Sequence, residues 1–283
     1  MNRKSLSTLF CAALFTAGVS SSASATLLES EPFDYPSNLG SSINGLNGGT
    51  GWGGAWSNTS NDVTLAADNN SLVYPLTSGL SSSGSRISET LDANNVPANR
   101  TLGTGMNLLT SGQEWYSSAL FRHSTTTGEI ASVLFLSGAN IRWYYGIDTN
   151  GAFSVAVDPS TPSQRATSTF TAADNTTYLA VAKIRTNTGP GGNDEVFLKV
   201  FSPTDTVAEP ATDAGWDLTA NGNSGVTLGT VRLALSNTAG QTNDFDQLRI
   251  GTTFADVAGV PEPASAMLLI GAGAGLLLRR RRR

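Results

Sequence analysis

Between residues 60 and 250 apolar and polar side chains take turns over short stretches. Phe153, Val155 and Val157 alternate with Ser154, Ala156 and Asp158, and Val231, Leu233 and Leu235 alternate with Arg232, Ala234 and Ser236. A period of two sends successive side chains to opposite faces, so both stretches are predicted to be half-buried β-strands. The same reading predicts strands over 63–67, 71–76, 86–91, 115–123, 130–136, 141–147, 177–185, 196–201 and 245–250. No long stretch carries helical periodicity. Turn residues fall between the strands: Asp148-Thr149-Asn150-Gly151 reads as a hairpin turn, and the Gly-rich run 188–193 as a loop. About a dozen short strands with even turn spacing predict an all-β fold, an antiparallel jelly-roll sandwich, over residues 26–254. Residues 255–260 are expected to form a short spacer.

The two ends of the chain follow other rules. Arg3 and Lys4 precede a largely apolar stretch over 6–19, and Ala23-Ser24-Ala25 supplies a small-x-small cleavage site. This is the pattern of a secretory signal peptide over 1–25, with a mature chain beginning at Thr26. At the other end, Pro261-Glu262-Pro263 leads into an uncharged apolar stretch over 264–278, and Arg279, Arg280, Arg281, Arg282 and Arg283 follow. Fifteen residues at about 1.5 Å each make a helix of roughly 22 Å, short of a hydrocarbon core about 30 Å thick. Snorkelling arginines lengthen such a segment and hold its end on the cytoplasmic side. A single C-terminal transmembrane helix is therefore expected, and its brevity suits a temporary anchor.

Triplet, short span and arginine cluster, in that order, resemble the PEP-CTERM sorting signal of Gram-negative bacteria. The resemblance covers 260–283. It implies transient anchoring in the inner membrane after passage through the Sec translocon. It also implies processing by an exosortase, and a final place in the cell envelope or extracellular matrix, often beside exopolysaccharide. The triplet is then a substrate and carries no catalysis.

Charge narrows the partners. Setting aside Arg3, Lys4 and the five terminal arginines leaves 10 basic residues in the body. Setting aside Glu262 leaves 21 acidic ones, for a formal charge of −11. Such a body argues against nucleic acid as a partner. The only cysteine, Cys11, leaves with the signal peptide, so the mature chain has neither disulfide nor thiol chemistry. A body of about 235 residues can bury a core without one.

Catalytic constellations are thin. His123 is the sole histidine, which excludes a multi-histidine zinc site and reads as an ordinary strand residue. The body's only acid-x-acid pairs are Glu29/Glu31 and Asp244/Asp246. Residues i and i+2 of a strand share a face, so either pair could converge as glycosidase carboxylates do. Glu29 and Glu31, however, are expected at a fraying end. Hard oxygen ligands in loops suit calcium, for which Asp244 and Asp246 with Asn243, or Asn193, Asp194 and Glu195, are the candidates. No other cofactor is expected. Trp52 and Trp56 flank glycines in a loop and are the candidate pair for stacking on a sugar.

The body resembles concanavalin A-like (laminin G-like) jelly rolls. Three stretches carry the likeness: Phe33-Asp34-Tyr35 with the Gly-rich run Asn44 to Trp52, the apolar run Tyr178 to Ile184, and the closing segment Asp246 to Gly251. The resemblance implies a fold and no particular activity. Taken together, the sequence points first to a non-enzymatic exported envelope or matrix protein. The second reading is a lectin-like carbohydrate-binding module, with or without calcium. The third is a glycan hydrolase or lyase.

Overall fold

The computed structural model describes residues 26–260 apart from the segments 59–62, 76–79, 81–83, 90–95, 125–129, 187–192, 224 and 237–241. The predicted signal peptide with Ala23 and Ala25, the Pro261-Glu262-Pro263 triplet, the apolar stretch and the arginine cluster lie outside the described residues. No helix among the described residues is long and apolar enough to cross a membrane.

Two antiparallel seven-stranded sheets pack face to face. Across the first run β1 (Leu27–Glu31), β14 (Asn243–Gly251), β5 (Glu114–His123), β10 (Tyr178–Arg185), β11 (Asp194–Phe201) and β12 (Leu218–Gly222), with β3 (Ile87–Glu89) also paired to β14. Across the second run β2 (Ser57–Asn58), β4 (Val96–Asn107), β13 (Thr227–Ser236), β6 (Ile130–Ser137), β7 (Asn140–Ile147), β8 (Ala152–Val157) and β9 (Arg165–Thr171). The all-β sandwich is as predicted, and the first and last strands pair side by side. The β7–β8 connection is a tight turn in which Asp148 Oδ1 accepts from the Asn150 and Ala152 amides. Gly151 supplies the positive φ there, at 73°.

Alternating side chains fill the interior. Val133 and Phe135, Trp143 and Tyr145, Phe153 and Val155, and Val231 and Leu233 come from the second sheet. They meet Phe121, Phe245 and the small Ala180 and Ala182 of the first. The alanines leave room for the rings, and Phe121 lies 4.8 Å from Phe245, 6.0 Å from Tyr145 and 6.3 Å from Phe153 between ring centres. The first sheet is covered on its outer face too. There Tyr116, Leu120, Leu179, Val181, Phe197 and Phe201 lie under Leu72, Tyr74, Trp216, Phe254 and Val257. This double burial is why 178–184 reads as a near-continuous apolar run.

Several expectations are corrected. Residues 63–67 form only isolated bridges, to Ser42 and Ile87, and 71–75 form no strand; Leu72 and Tyr74 serve as lids on the first sheet instead. Residues 254–258 are not a spacer. They form the helix α1 (Phe254–Ala258), whose start is closed by a capping box between Thr253 and Asp256 and whose end is Gly259 at φ 67°. Phe254, Val257 and Ala258 are buried and Val260 packs against the same cluster, so the body continues to Val260.

Glu29 and Glu31 do not fray. Both are fully buried. Glu31 on β1 ion-pairs with Arg100 on β4, so the contact spans the two sheets. Its carboxylate also accepts from Trp56 Nε1 at 3.1 Å, Tyr35 Oη at 2.9 Å and the Phe33 amide at 2.9 Å. Arg100 spends its other donors on Gly54 O, Asn47 Oδ1 and Gly48 O. Replacing Arg100 by Ala strands a carboxylate in the core. Unfolding free energy is expected to fall by about 3–5 kcal/mol in urea denaturation of the body.

Candidate functional site

The Gly-rich loop is part of this buried network and offers no sugar platform. Trp56 is 1% exposed, and its ring stacks on Phe33 at 5.9 Å. Trp52 is half-buried and donates from Nε1 to Ser30 O at 3.1 Å. The Arg100 guanidinium lies over both indoles, 4.7 Å from the centre of Trp52 and 5.4 Å from that of Trp56. Gly49 and Gly51 let the loop lie on β1: a Cβ on Gly51 would come within 1.7 Å of Leu28 O. Sugar stacking on Trp52 and Trp56 is thus replaced by cation–π packing on a buried arginine.

The acid pair on β14 is also committed elsewhere. Asp244 accepts from Arg122 Nε at 2.8 Å and Nη2 at 2.5 Å, and Arg86 Nε lies 3.2 Å away. Two guanidiniums occupy the place a cation would take. Asp246 is buried; it accepts from the Ser71 hydroxyl, the Leu72 amide at 2.7 Å and the Gln247 amide at 2.7 Å. Burial pushes its carboxyl up to about 8. Burial likewise lifts Glu29 to about 7, although the Thr104 amide donates to it at 3.3 Å. In the other candidate set Asp194 is buried and Glu195 is held by Arg185 at 2.7 Å. No group of three or more His, Cys, Asp or Glu among the described residues could hold a metal ion. His123 is buried, with Nε2 3.1 Å from Ala172 O, in keeping with a structural role.

The open concave site lies at the opposite edge from β1. There β9, at the edge of the second sheet, diverges from β11 and β12 of the first and leaves a cleft of about 580 Å³. Its floor is aromatic. Phe153 and Phe170 stack at 6.3 Å with planes 5° apart, and Tyr178 meets Phe170 edge-on at 5.6 Å. Phe170 is 47% exposed, a rare state for a large apolar ring. A bulge puts it there: a step of two residues on β8, Ala152 to Ser154, faces a step of four on β9, Thr171 to Thr167. Thr167 and Ser168 line the cleft from one side, Lys199 and Asp217 from the other. Lys199 Nζ donates to Asp217 at 2.6 Å, and the second oxygen of Asp217 accepts from the Val200 amide at 2.8 Å. A flat apolar floor with a hydroxyl and charged rim suits a ligand with one apolar face and polar edges, such as a pyranose ring. Sequence reasoning passed over Phe170 because it sits in the polar run Arg-Ala-Thr-Ser-Thr-Phe-Thr, which shows no clear alternation.

A PEP-CTERM protein-sorting motif is matched over residues 259–283. No curated protein matches the sequence. Among solved structures the chain is similar to the T. cruzi calreticulin globular domain, with a TM-score of 0.51 and 11% identity, covering 91% of this chain and 100% of that one. It is also similar to an endo-beta-1,4-glucuronan lyase from the fungus Trichoderma reesei, with a TM-score of 0.42, 13% identity and coverage of 78% and 98%. For an alginate lyase from Aplysia kurodai the TM-score is 0.42, with 10% identity and coverage of 66% and 88%. At this identity the likeness to calreticulin establishes a β-sandwich fold and no activity.

Stability is expected to depend on pH through the Asp246 carboxyl. Its folded-state value lies above the ordinary one, so the folded protein keeps a proton that the unfolded chain releases between about pH 4 and pH 8. The group's contribution is full at the acid end and is lost as pH rises through that window. Asp246→Asn is therefore expected to gain on the parent between pH 5 and pH 8. The gain should reach at least ~1.4 kcal/mol, the equivalent of a tenfold change in proton affinity. Urea midpoints at the two pH values read it directly.

Proposed function

We propose that this is an exported, non-enzymatic protein of the cell envelope or extracellular matrix. In this reading Sec-dependent export removes residues 1–25, the C-terminal segment anchors the protein briefly in the inner membrane, and an exosortase processes the tail at or near Pro261-Glu262-Pro263. The observation that carries the reading is the junction between tail and body. The matched motif begins at Gly259, the residue that caps α1, and Val260 after it makes the last described packing contact with the core. A cut at the triplet would release the whole sandwich with its core untouched.

A second reading, carbohydrate binding, is favoured by the exposed Phe170 over its aromatic cleft. Binding rather than turnover is supported by the use of the acids. The two carboxyls with raised pKa, Glu29 and Asp246, are not among the residues that line the cleft; of the two acids that do, Asp217 is tied to Lys199 and the Val200 amide and Asp205 accepts from the Ser202 amide.

Mass spectrometry of the secreted protein tests the sorting route. The expected species begins at Thr26 and ends at or near the Pro-Glu-Pro triplet; extracellular protein retaining Arg283 would refute processing. For the cleft, Phe170→Ala is expected to weaken glycan binding by about tenfold, the equivalent of ~1.4 kcal/mol, with a small fall in melting temperature from the lost ring contacts and the fold retained. A glycan array with and without calcium supplies the ligand. Unchanged binding by the variant would remove the cleft from the account.

A further inference from the structure

Asp256 sits where the two ends of the body meet. It is the third residue of α1, and its amide donates to Thr253 Oγ1 at 3.2 Å in the capping box. Its Oδ2 accepts from the Thr252 and Thr253 amides at 3.2 and 3.0 Å, and from Thr26 N at 3.0 Å, 230 residues away in the chain. Gly251 makes room for the side chain: a Cβ there would come within 2.6 Å of the Asp256 Cβ. Thr26 is held on its other side as well, because its carbonyl accepts from the Thr252 amide at 3.2 Å. The next residue, Leu27, pairs with Gly251 at the first rung of β1 on β14.

What Asp256 lacks is a cation. Its carboxylate accepts only from backbone nitrogens, and no Lys or Arg side chain ion-pairs with it among the described residues. Thr26, however, is the residue at which the mature chain is predicted to begin. Hydrolysis of the Ala25–Thr26 bond adds one water. Ala25 leaves as a carboxylate, and the Thr26 nitrogen stays on the body as an ammonium at neutral pH, because an α-amino group ordinarily titrates near pH ~7.7–8.0. The atom that donates to Asp256 thus turns from a neutral amide into a cation without having to move. Thr26 is exposed, so the chain that precedes it before the cut has a way out of the contact. A hydrogen bond between two charged partners is roughly twice as strong as a neutral one.

We propose that removal of the signal peptide makes the new α-amino group of Thr26 the counter-ion of Asp256, in an ion pair that clamps α1 onto the start of β1. A precursor that still carries residues 1–25 has only the neutral bond. The cut at one end of the chain therefore tightens the helix at the other, directly before the sorting motif begins at Gly259. The gain is local. A partly exposed ion pair contributes little to global stability, but it acts on the elements that open first, which here are the first residues of β1 and the short helix that lays Phe254 and Val257 on the first sheet. The proposal rests on the reading that export removes residues 1–25, and it adds a consequence of that cut at the opposite end of the body.

The test uses the protein as its own cell processes it, with the first residue read by mass spectrometry. The α-amino group is acetylated selectively at about pH 6.5, where the other two amines of the mature chain, Lys183 and Lys199, stay protonated. Hydrogen exchange of the α1 amides is compared with and without the acetyl group. Acetylation is expected to speed that exchange about two- to fivefold in the parent, and to change nothing in Asp256→Asn, where no charge is left to pair. In about 1 M salt, where the Debye length is about 3 Å, the difference in the parent is expected to shrink. Thr253→Ala, which weakens the cap but keeps the carboxylate, is expected to retain the effect of acetylation. Equal exchange in the free and acetylated parent, or an equal acetylation effect in Asp256→Asn, would overturn the clamp. A mature chain beginning elsewhere than at Thr26 would overturn the clamp and the predicted cut together. Secreted protein that retains Arg283 would refute C-terminal processing alone and leave the clamp standing.

Discussion

The Glu31–Arg100 pair is the contact on which the N-terminal third of the body depends. Burying two charges costs several kcal/mol per ion, and their attraction repays that only when the remaining donors and acceptors are also met. Here they are met. Glu31 gathers donors from Phe33, Tyr35 and Trp56, and Arg100 gathers acceptors from Asn47, Gly48 and Gly54. Each of those partners lies in a stretch without regular ladder pairing. The pair thus organises a long connection that no sheet could hold, and it links β1 in one sheet to β4 in the other. Specificity is the natural gain: a strand with an unpaired buried charge would be rejected, so the register of β1 is fixed.

That same network marks the limit of what the sequence reveals. Strands whose residues alternate between large apolar and small or polar side chains were legible, as β8 and β13 show. So were the buried-run strands β10 and β14. β4 was not legible, because its sequence VPANRTLGTGMN holds an arginine, a proline and two glycines, and its inward positions include Arg100 itself. Trp52 and Trp56 looked exposed because glycines and polar residues surround them. Their actual partner is a guanidinium more than forty residues away, and no local pattern encodes that. Asp244 and Asp246 misled for the same reason: their neighbours Arg86, Arg122 and Ser71 are distant in sequence.

The candidate surfaces were less legible than the fold. Phe170 is exposed by a bulge, which depends on a register shift in β9 rather than on composition. Alternation did imply that Arg232 and Ala234 point away from the core. It could not say that the first sheet would be covered by α1 and by residues as far apart as Leu72 and Trp216. The asymmetry follows from where the long connections run: Leu72, Tyr74, Val207 and Trp216 fold over the first sheet together with α1, and the second is joined mostly by short turns.

One carboxylate closes the body at both ends. Asp256 in α1 accepts from the Thr252 amide at 3.2 Å and the Thr253 amide at 3.0 Å, and also from the Thr26 amide at 3.0 Å. The first described residue is thereby fastened to the last helix, which itself buries Phe254 and Val257 against the first sheet. Gly259 then turns the chain out in a left-handed conformation that a side chain would strain. On the proposed sorting route this closure matters physically. A tail whose removal uncovered apolar surface would leave an aggregation-prone product outside the cell, where no ATP-driven chaperone could retrieve it. The matched motif overlaps the described body only at Gly259 and Val260, so a cut at the triplet falls beyond both the helix cap and the last described residue packed on the core, and the body can fold while it is still tethered.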